Sequence, residues 1–87
     1  MKISFDLKKD EWPRQERGLS LEGGREIIRN GVVFERDERH DYGEERFVVF
    51  GYLERRLYVC VFTMRDDVFH IISVRKANQR EVRKHGR

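Results

Sequence analysis

The side chains able to do acid–base chemistry near neutral pH are few in this 87-residue chain. His40, His70 and His85 are the three histidines, and an imidazole both accepts and donates a proton in that range. Carboxylates such as Glu45 do the same only where burial raises their pKa. Arginine stays protonated at any working pH and offers a planar fork to phosphate or carboxylate oxygens, so it holds anions and does not move protons. No serine or cysteine stands out as a nucleophile. Cys60, between Val59 and Val61 in the most apolar run of the chain, reads as an inert core thiol. One cysteine forms no internal disulfide, and zinc needs about four ligands that three scattered histidines and a thiol do not gather. No metal or cofactor is therefore expected.

The charges are segregated along the chain. Residues 68–87 carry six Lys/Arg against one Asp/Glu, whereas residues 32–67 carry six against nine. Glu35–Glu45 alone holds six carboxylates and two arginines. The basic end, with Arg75, Lys76, Arg80, Arg83 and Lys84, reads either as a surface that attracts polyanions or as a solvated helix face.

The length supports one small domain, since at this size only about 60–65% of the unfolded surface is buried. The longest apolar run, Leu57–Phe62, has six residues, against about 20 for a membrane-spanning helix. The start of the chain alternates like a strand rather than like a secretion signal, and a reducing cytoplasm fits best.

Ile3 and Phe5 alternate with polar neighbours and predict a short first strand. Asp6 is suited to cap a helix running to Arg17, with Pro13 kinking or restarting it. Ser20 predicts the cap of a second helix ending at Arg29, where Asn30-Gly31 is a stop signal. Gly23 and Gly24 weaken that helix by about 1 kcal/mol each. Strands are predicted at Val32–Phe34 (a short edge), Arg46–Phe50 with Gly51 at its end, Leu57–Met64 and Val68–Val74. Leu57–Met64 is the most apolar and should be central, buried on both faces. Ala77–Lys84 predicts a closing helix with Ala77 and Val82 as its apolar anchors. The order β-α-α-β-β-β-β-α implies an α+β domain over residues 1–87: an antiparallel sheet with two N-terminal helices on one face and a short C-terminal helix.

Two segments carry a more specific pattern. One is His40-Asp41-Tyr42-Gly43-Glu44-Glu45-Arg46-Phe47; the other is Ile71-Ile72-Ser73-Val74-Arg75-Lys76-Ala77 followed by Arg80-Glu81. With Phe5-Asp6 and Gly18-Leu19-Ser20-Leu21 in the expected order, they resemble the BrnT family of bacterial type II toxins, small ribonucleases with a RelE-like fold. The chain departs from that pattern at Gly23 (a glutamate in the family), at His70 (a basic residue), at His85 (a tyrosine) and at Pro13.

The resemblance implies metal-independent RNA cleavage, in which a ribose 2′-OH attacks the neighbouring phosphorus and the 5′-oxygen leaves. Such a reaction needs a base, a stabiliser of phosphate charge and an acid. Arg46 and Arg75 are the candidates for phosphate contacts, converging at one end of the sheet. His40 and Glu45 are candidates for the base and His85 for the acid. Lys76, Arg80, Arg83 and Lys84 are candidates for RNA contact, although Lys76 and Arg75 are adjacent in a strand and should face opposite ways. The implied partners are RNA and a BrnA-type ribbon-helix-helix antitoxin, in a heterotetramer whose antitoxin binds DNA. A catalytically weakened RNA- or protein-binding module of the same fold is the alternative.

Overall fold

The computed structural model describes residues 1–5, 23–37 and 43–86. The elements are β1 (Ile3–Phe5), α1 (Gly24–Arg29), β2 (Gly31–Asp37), β3 (Arg46–Leu53), β4 (Arg56–Arg65), β5 (Val68–Lys76) and α2 (Gln79–His85). The helix expected from Asp6 to Arg17, with Pro13, lies outside the described residues, as does the Ser20 cap. One of the two expected N-terminal helices, α1, is therefore described. It closes at Asn30, whose backbone N–H donates to the Glu26 carbonyl at 2.9 Å and whose side chain donates to the Tyr52 carbonyl at 2.8 Å.

The five strands form one sheet in the order β1-β5-β4-β3-β2. The most apolar strand, β4, is central, and its inward residues are buried on both faces. Two-residue turns at Glu54-Arg55 and Asp66-Asp67 join β3 to β4 and β4 to β5, all four residues having positive φ. These are the primed turns whose twist matches antiparallel strands.

The sheet departs from the expected antiparallel one in being mixed. β1 runs parallel to β5, with Ile3 opposite Phe69. An antiparallel neighbour is reached by a hairpin, whereas a parallel one needs a long crossover; β1 and β5 lie at opposite ends of the chain and have that length between them. All four strands from β2 to β5 outrun their expected ends, β4 by one residue to Arg65 and β5 by two to Lys76. β2 continues to Asp37, and β3 continues through Gly51 to Leu53. Gly51 does not end its strand; it lets α1 approach, because a Cβ there would overlap the carbonyl oxygen of Ile27.

Period-two alternation gives the sheet two distinct faces. Ile27 and Ile28 of α1 pack with Val49, Tyr58, Cys60 and Ile71 on one face. Gly24 permits that contact, since a Cβ would lie 3.1 Å from Ile71 Cδ1 and 3.2 Å from Cys60 Sγ. Phe50, Leu57, Val59 and Ala77 form a second cluster on the other face. There α2 lies over the sheet, with the His85 ring 4.2 Å from the Phe50 ring. The two described helices thus cover opposite faces. Of the two expected anchors of α2, Ala77 is buried and Val82 is 41% exposed, so polar contacts hold much of this helix.

Candidate active site

The face beneath α2 carries both arginines singled out from the sequence. Arg46 opens β3, one residue before the Phe47–Phe62 rung. Phe47 faces α1 with Phe62, so Arg46 projects from the α2 face, as does its cross-strand neighbour Asp37. Arg75 pairs with Val59, which faces α2.

Their placement on one face depends on a bulge. Val61 opposes Ser73 and Phe62 opposes Ile71, leaving Ile72 as an extra residue in β5. An extra residue shifts the alternation by one. Strict alternation from Ile71, which faces α1, would send Arg75 to the α1 face; the bulge sends it to the α2 face. Lys76, opposite Tyr58, consequently projects to the α1 side, as the alternation of adjacent residues requires.

The two arginines do not converge at one end of the sheet. β3 and β5 are each antiparallel to β4, hence parallel to one another, and Arg46 begins one while Arg75 nears the end of the other. Arg46 is four residues from Phe50, on the rung that includes Val59 and Arg75, or about 13 Å along the strand. Val48, Val61 and Ser73 occupy the intervening rung.

Arg75 is fixed by α2. Its Nη1 and Nη2 donate to Glu81 Oε1 and Oε2 at 2.7 and 2.8 Å, a two-pronged, charge-assisted pair. Glu81 also accepts from the Asn78 N–H at 2.9 Å, while Asn78 Oδ1 accepts from the Glu81 N–H at 2.9 Å. This is a capping box, and it anchors the helix start to the strand. The Arg75 hydrogen bonds hold the Glu81 carboxyl below its ordinary pKa against a partial desolvation effect, with the Asn78 N–H and the charges of Arg75 and His85 acting the same way. Glu81 is thus an ionised holder of Arg75 and a poor base.

His85 lies one turn beyond Glu81 on α2. Its side chain is 10% exposed, and its Nε2 stands 3.9 Å from Glu35 Oε1. That separation exceeds a hydrogen bond, and the Glu35 carboxylate stands as a neighbouring acidic group. Glu35 opposes Val48 and so lies on the same face. The α2 face therefore carries Arg46, Arg75, His85 and Glu35: two guanidinium groups, an imidazole and a carboxylate.

The other candidates are placed differently. Glu45 is exposed and pairs with Arg36 at 3.1 Å; Arg36 opposes Phe47, so this carboxylate sits toward the α1 side, away from Arg46. His40 lies outside the described residues. Arg80, Arg83 and Lys84 are exposed on α2. His70 opposes Ser4 in β1 and shares a 2.8 Å hydrogen bond between its Nδ1 and Ser4 Oγ. It opposes Thr63 in β4, on the Arg46 side of the α2 face. The sequence motif includes Glu81 but assigns it no role, and Glu35 appears only as part of an acidic run. Asn78-x-x-Glu81 is a legible capping signal, whereas nothing local marks Glu35. Cys60 is fully buried, and burial pushes its thiol up to about 12, in keeping with an inert role.

Among the described residues, no three His, Cys, Asp or Glu side chains are grouped as metal ligands, and no helix is long and apolar enough to cross a membrane. No curated protein matches the sequence. A family model described as "Ribonuclease toxin, BrnT, of type II toxin-antitoxin system" matches residues 5–81. With nearly the whole sequence aligned to that model, the chain belongs to the BrnT family of ribonuclease toxins.

Proposed function

We propose that this chain is an endoribonuclease toxin that cuts RNA without a metal ion. A ribose 2′-OH attacks the adjacent phosphorus, the 5′-oxygen departs, and a cyclic phosphate remains. One observation carries the reading: in a member of a ribonuclease-toxin family, Arg46, Arg75 and His85 share one face of the sheet. With about 13 Å of strand between them, the two arginines suit separate phosphates along one strand of RNA better than a shared fork on one phosphate. Arg75, held in place by Glu81, stabilises the charge that builds on the phosphoryl oxygens, and pre-positioned donors of this kind contribute most where they need not reorganise. His85 protonates the leaving 5′-oxygen, with Glu35 as counter-charge. The base is His40, because Glu45 is engaged by Arg36 on the other side. Arg80, Arg83 and Lys84 add phosphate contacts along α2.

The partner in this reading is a BrnA-type ribbon-helix-helix antitoxin, joined in a heterotetramer in which the antitoxin binds DNA, and the compartment is the cytoplasm. We also assign the α+β frame to the RelE-like class, on the strength of the family. Expression in a bacterial host tests the whole. Growth arrest with RNA loss, relieved by Arg75→Ala and by the co-expressed antitoxin, is expected, and cleavage in vitro should persist in EDTA. Cleavage that stops on chelation and returns with a divalent ion would overturn the metal-free route. Normal growth at a verified protein level would favour a weakened binding module, a second reading that the low exposure of His85 supports.

A further inference from the structure

α2 divides the face of the sheet on which it lies. On the side away from Arg46, between α2 and the β3–β4 hairpin, is a cleft of about 610 Å³. Arg55 comes from the turn, Arg56 from the start of β4 and Arg83 from α2, around a wall that includes Tyr52, Leu57 and Ala77. Among the described residues, no carboxylate lines it. Tyr52 and Leu57 are cross-strand partners, and Ala77 is tied to Leu57 by a 3.0 Å backbone hydrogen bond. The capping box and the Arg75–Glu81 pair fix the helix that forms the other wall.

Three cations from three separate elements around one hollow are not the solvated face of a single helix. Their mutual repulsion is relieved by a polyanion that enters between them. The volume lies within the range of small-ligand clefts, about 300–1,000 Å³. Guanidinium groups fork onto phosphates and stack on bases, and an aromatic ring supplies a further stacking surface for an unpaired base. Tyr52 packs half-buried against the Phe50, Leu57, Val59 and Ala77 cluster and also lines the cleft, an aromatic lining that a base uses for stacking and an acidic peptide does not need. The Tyr52–Leu57 rung is also only two residues from the rung of Phe50, Val59 and Arg75, about 7 Å along the strand. An RNA with one phosphate at Arg75 is within reach of this cleft by passing the exposed Arg80 at the start of α2.

We propose that the cleft between α2 and the β3–β4 hairpin is a subsite for single-stranded RNA flanking the cleaved bond, with Arg55, Arg56 and Arg83 on phosphates and Tyr52 against a base. The inference rests on the ribonuclease reading and supplies it with a path for the substrate.

Fluorescence anisotropy with a labelled single-stranded RNA, 2′-O-methylated throughout so that it is not cut, reads binding apart from cleavage. The test protein is the triple variant Arg55→Gly, Arg56→Gln, Arg83→Gln. Glycine is chosen at position 55 because the backbone there has φ 69°. The control is Lys2→Gln with Arg29→Gln, which removes two exposed cations elsewhere. Circular dichroism verifies the fold, and the single Arg83→Gln variant provides a milder version of the change. Removing three phosphate contacts should weaken binding more than tenfold at 0.1 M salt and flatten the slope of log K against log salt by about 2, since each contact to a single strand contributes about 0.7. Tyr52→Leu should weaken binding and leave the slope unchanged, and the control should stay within twofold of the parent. On cleavable RNA, the triple variant should raise KM and keep kcat.

Parental affinity and salt slope in the folded triple variant would overturn the subsite. So would retention of RNA binding with loss of a co-expressed partner protein, because the cleft would then hold that protein. If the parent protein binds the methylated strand through these arginines and cuts no RNA, the ribonuclease reading falls and the binding site stands.

Discussion

The pair between Arg75 and Glu81 allows the phosphate-holding role proposed for Arg75 to be separated from its part in stability. Glu81 serves two structural ends: it receives two hydrogen bonds from Arg75, and it accepts the Asn78 N–H that opens α2. Arg75 is 42% exposed and Glu81 19%, so solvent screens the pair and its contribution is about 1 kcal/mol rather than that of a buried pair. The cap adds about 1 kcal/mol. Glu81→Ala loses both and should cost about 2 kcal/mol. Glu81→Gln keeps an oxygen for the Asn78 N–H and should cost about 1 kcal/mol, as should Arg75→Ala. Because both single changes break the same pair, the double variant Arg75→Ala with Glu81→Gln should cost about 1 kcal/mol rather than the additive 2.

Cleavage should follow a different ranking. On the proposed mechanism Arg75→Ala removes the charge stabiliser itself and should lower kcat by about 100- to 1,000-fold. Glu81→Ala, although more destabilising, leaves the guanidinium present and should lower it by less than about tenfold, through looser positioning. Urea unfolding and oligonucleotide cleavage on the same preparations give both rankings. The pH dependence supplies a second reading of the pair. A folded-state pKa held below the ordinary 4.5 gives stability that is fully present above that value and is lost as pH falls through the lower folded value. The parent should therefore lose stability more steeply below about pH 4.5 than Glu81→Gln does. Arg75→Ala that folds and cleaves within a few-fold of the parent would refute the reasoning and make Arg75 a helix anchor only.

Three further outcomes test the fold. Gly51→Ala, which drives a Cβ into the Ile27 carbonyl, should cost about 3 kcal/mol, visible as a shifted urea midpoint with an unchanged slope. Asp67→Gly should raise stability by about 1 kcal/mol in the same assay, since Asp67 has φ 67°, a region that non-glycine residues occupy at a cost. Cys60, buried with its thiol pushed up to about 12, should resist iodoacetamide in the folded protein at about pH 8 and react at an ordinary rate in urea; rapid modification of the native protein would place the thiol elsewhere.

Much of the strand plan is legible because it follows from local rules. The run Leu57–Phe62 is too apolar for an edge and becomes the centre of the sheet. Asn30-Gly31 closes α1 and opens β2. What escapes such a reading depends on distant partners. Ile3 and Phe5 alternate as either a parallel or an antiparallel strand would, and the choice lies in the pairing with Phe69, which is remote in the sequence. Gly51 has the look of a strand end, yet it sits inside β3 because the crowding atom belongs to Ile27, which is remote from it in the sequence. Val82 is the apolar residue of the closing helix, yet His85 packs beneath it on Phe50.

The candidate site depends on one such non-local feature more than on any residue type. Arg46 and Arg75 stand out as candidate phosphate contacts from their chemistry and position near strand ends, but their side of the sheet is a matter of parity. Between Ile71, which packs toward α1, and Arg75 there are four steps along the chain, and regular alternation returns Arg75 to the α1 side. The bulged Ile72 cancels one step. Arg75 thereby reaches the side where Arg46, Glu35 and His85 lie, while Lys76 is turned away from it. Nothing in Ile71-Ile72-Ser73 announces a bulge, since β-branched residues and serine all fit a regular strand. The segment's identity specifies the cations; its register against Val61 and Phe62 decides which of two adjacent cations, Arg75 or Lys76, faces the site. A substitution that erased the bulge while preserving every charge would therefore exchange the two, placing a flexible ammonium where the planar guanidinium now meets Glu81.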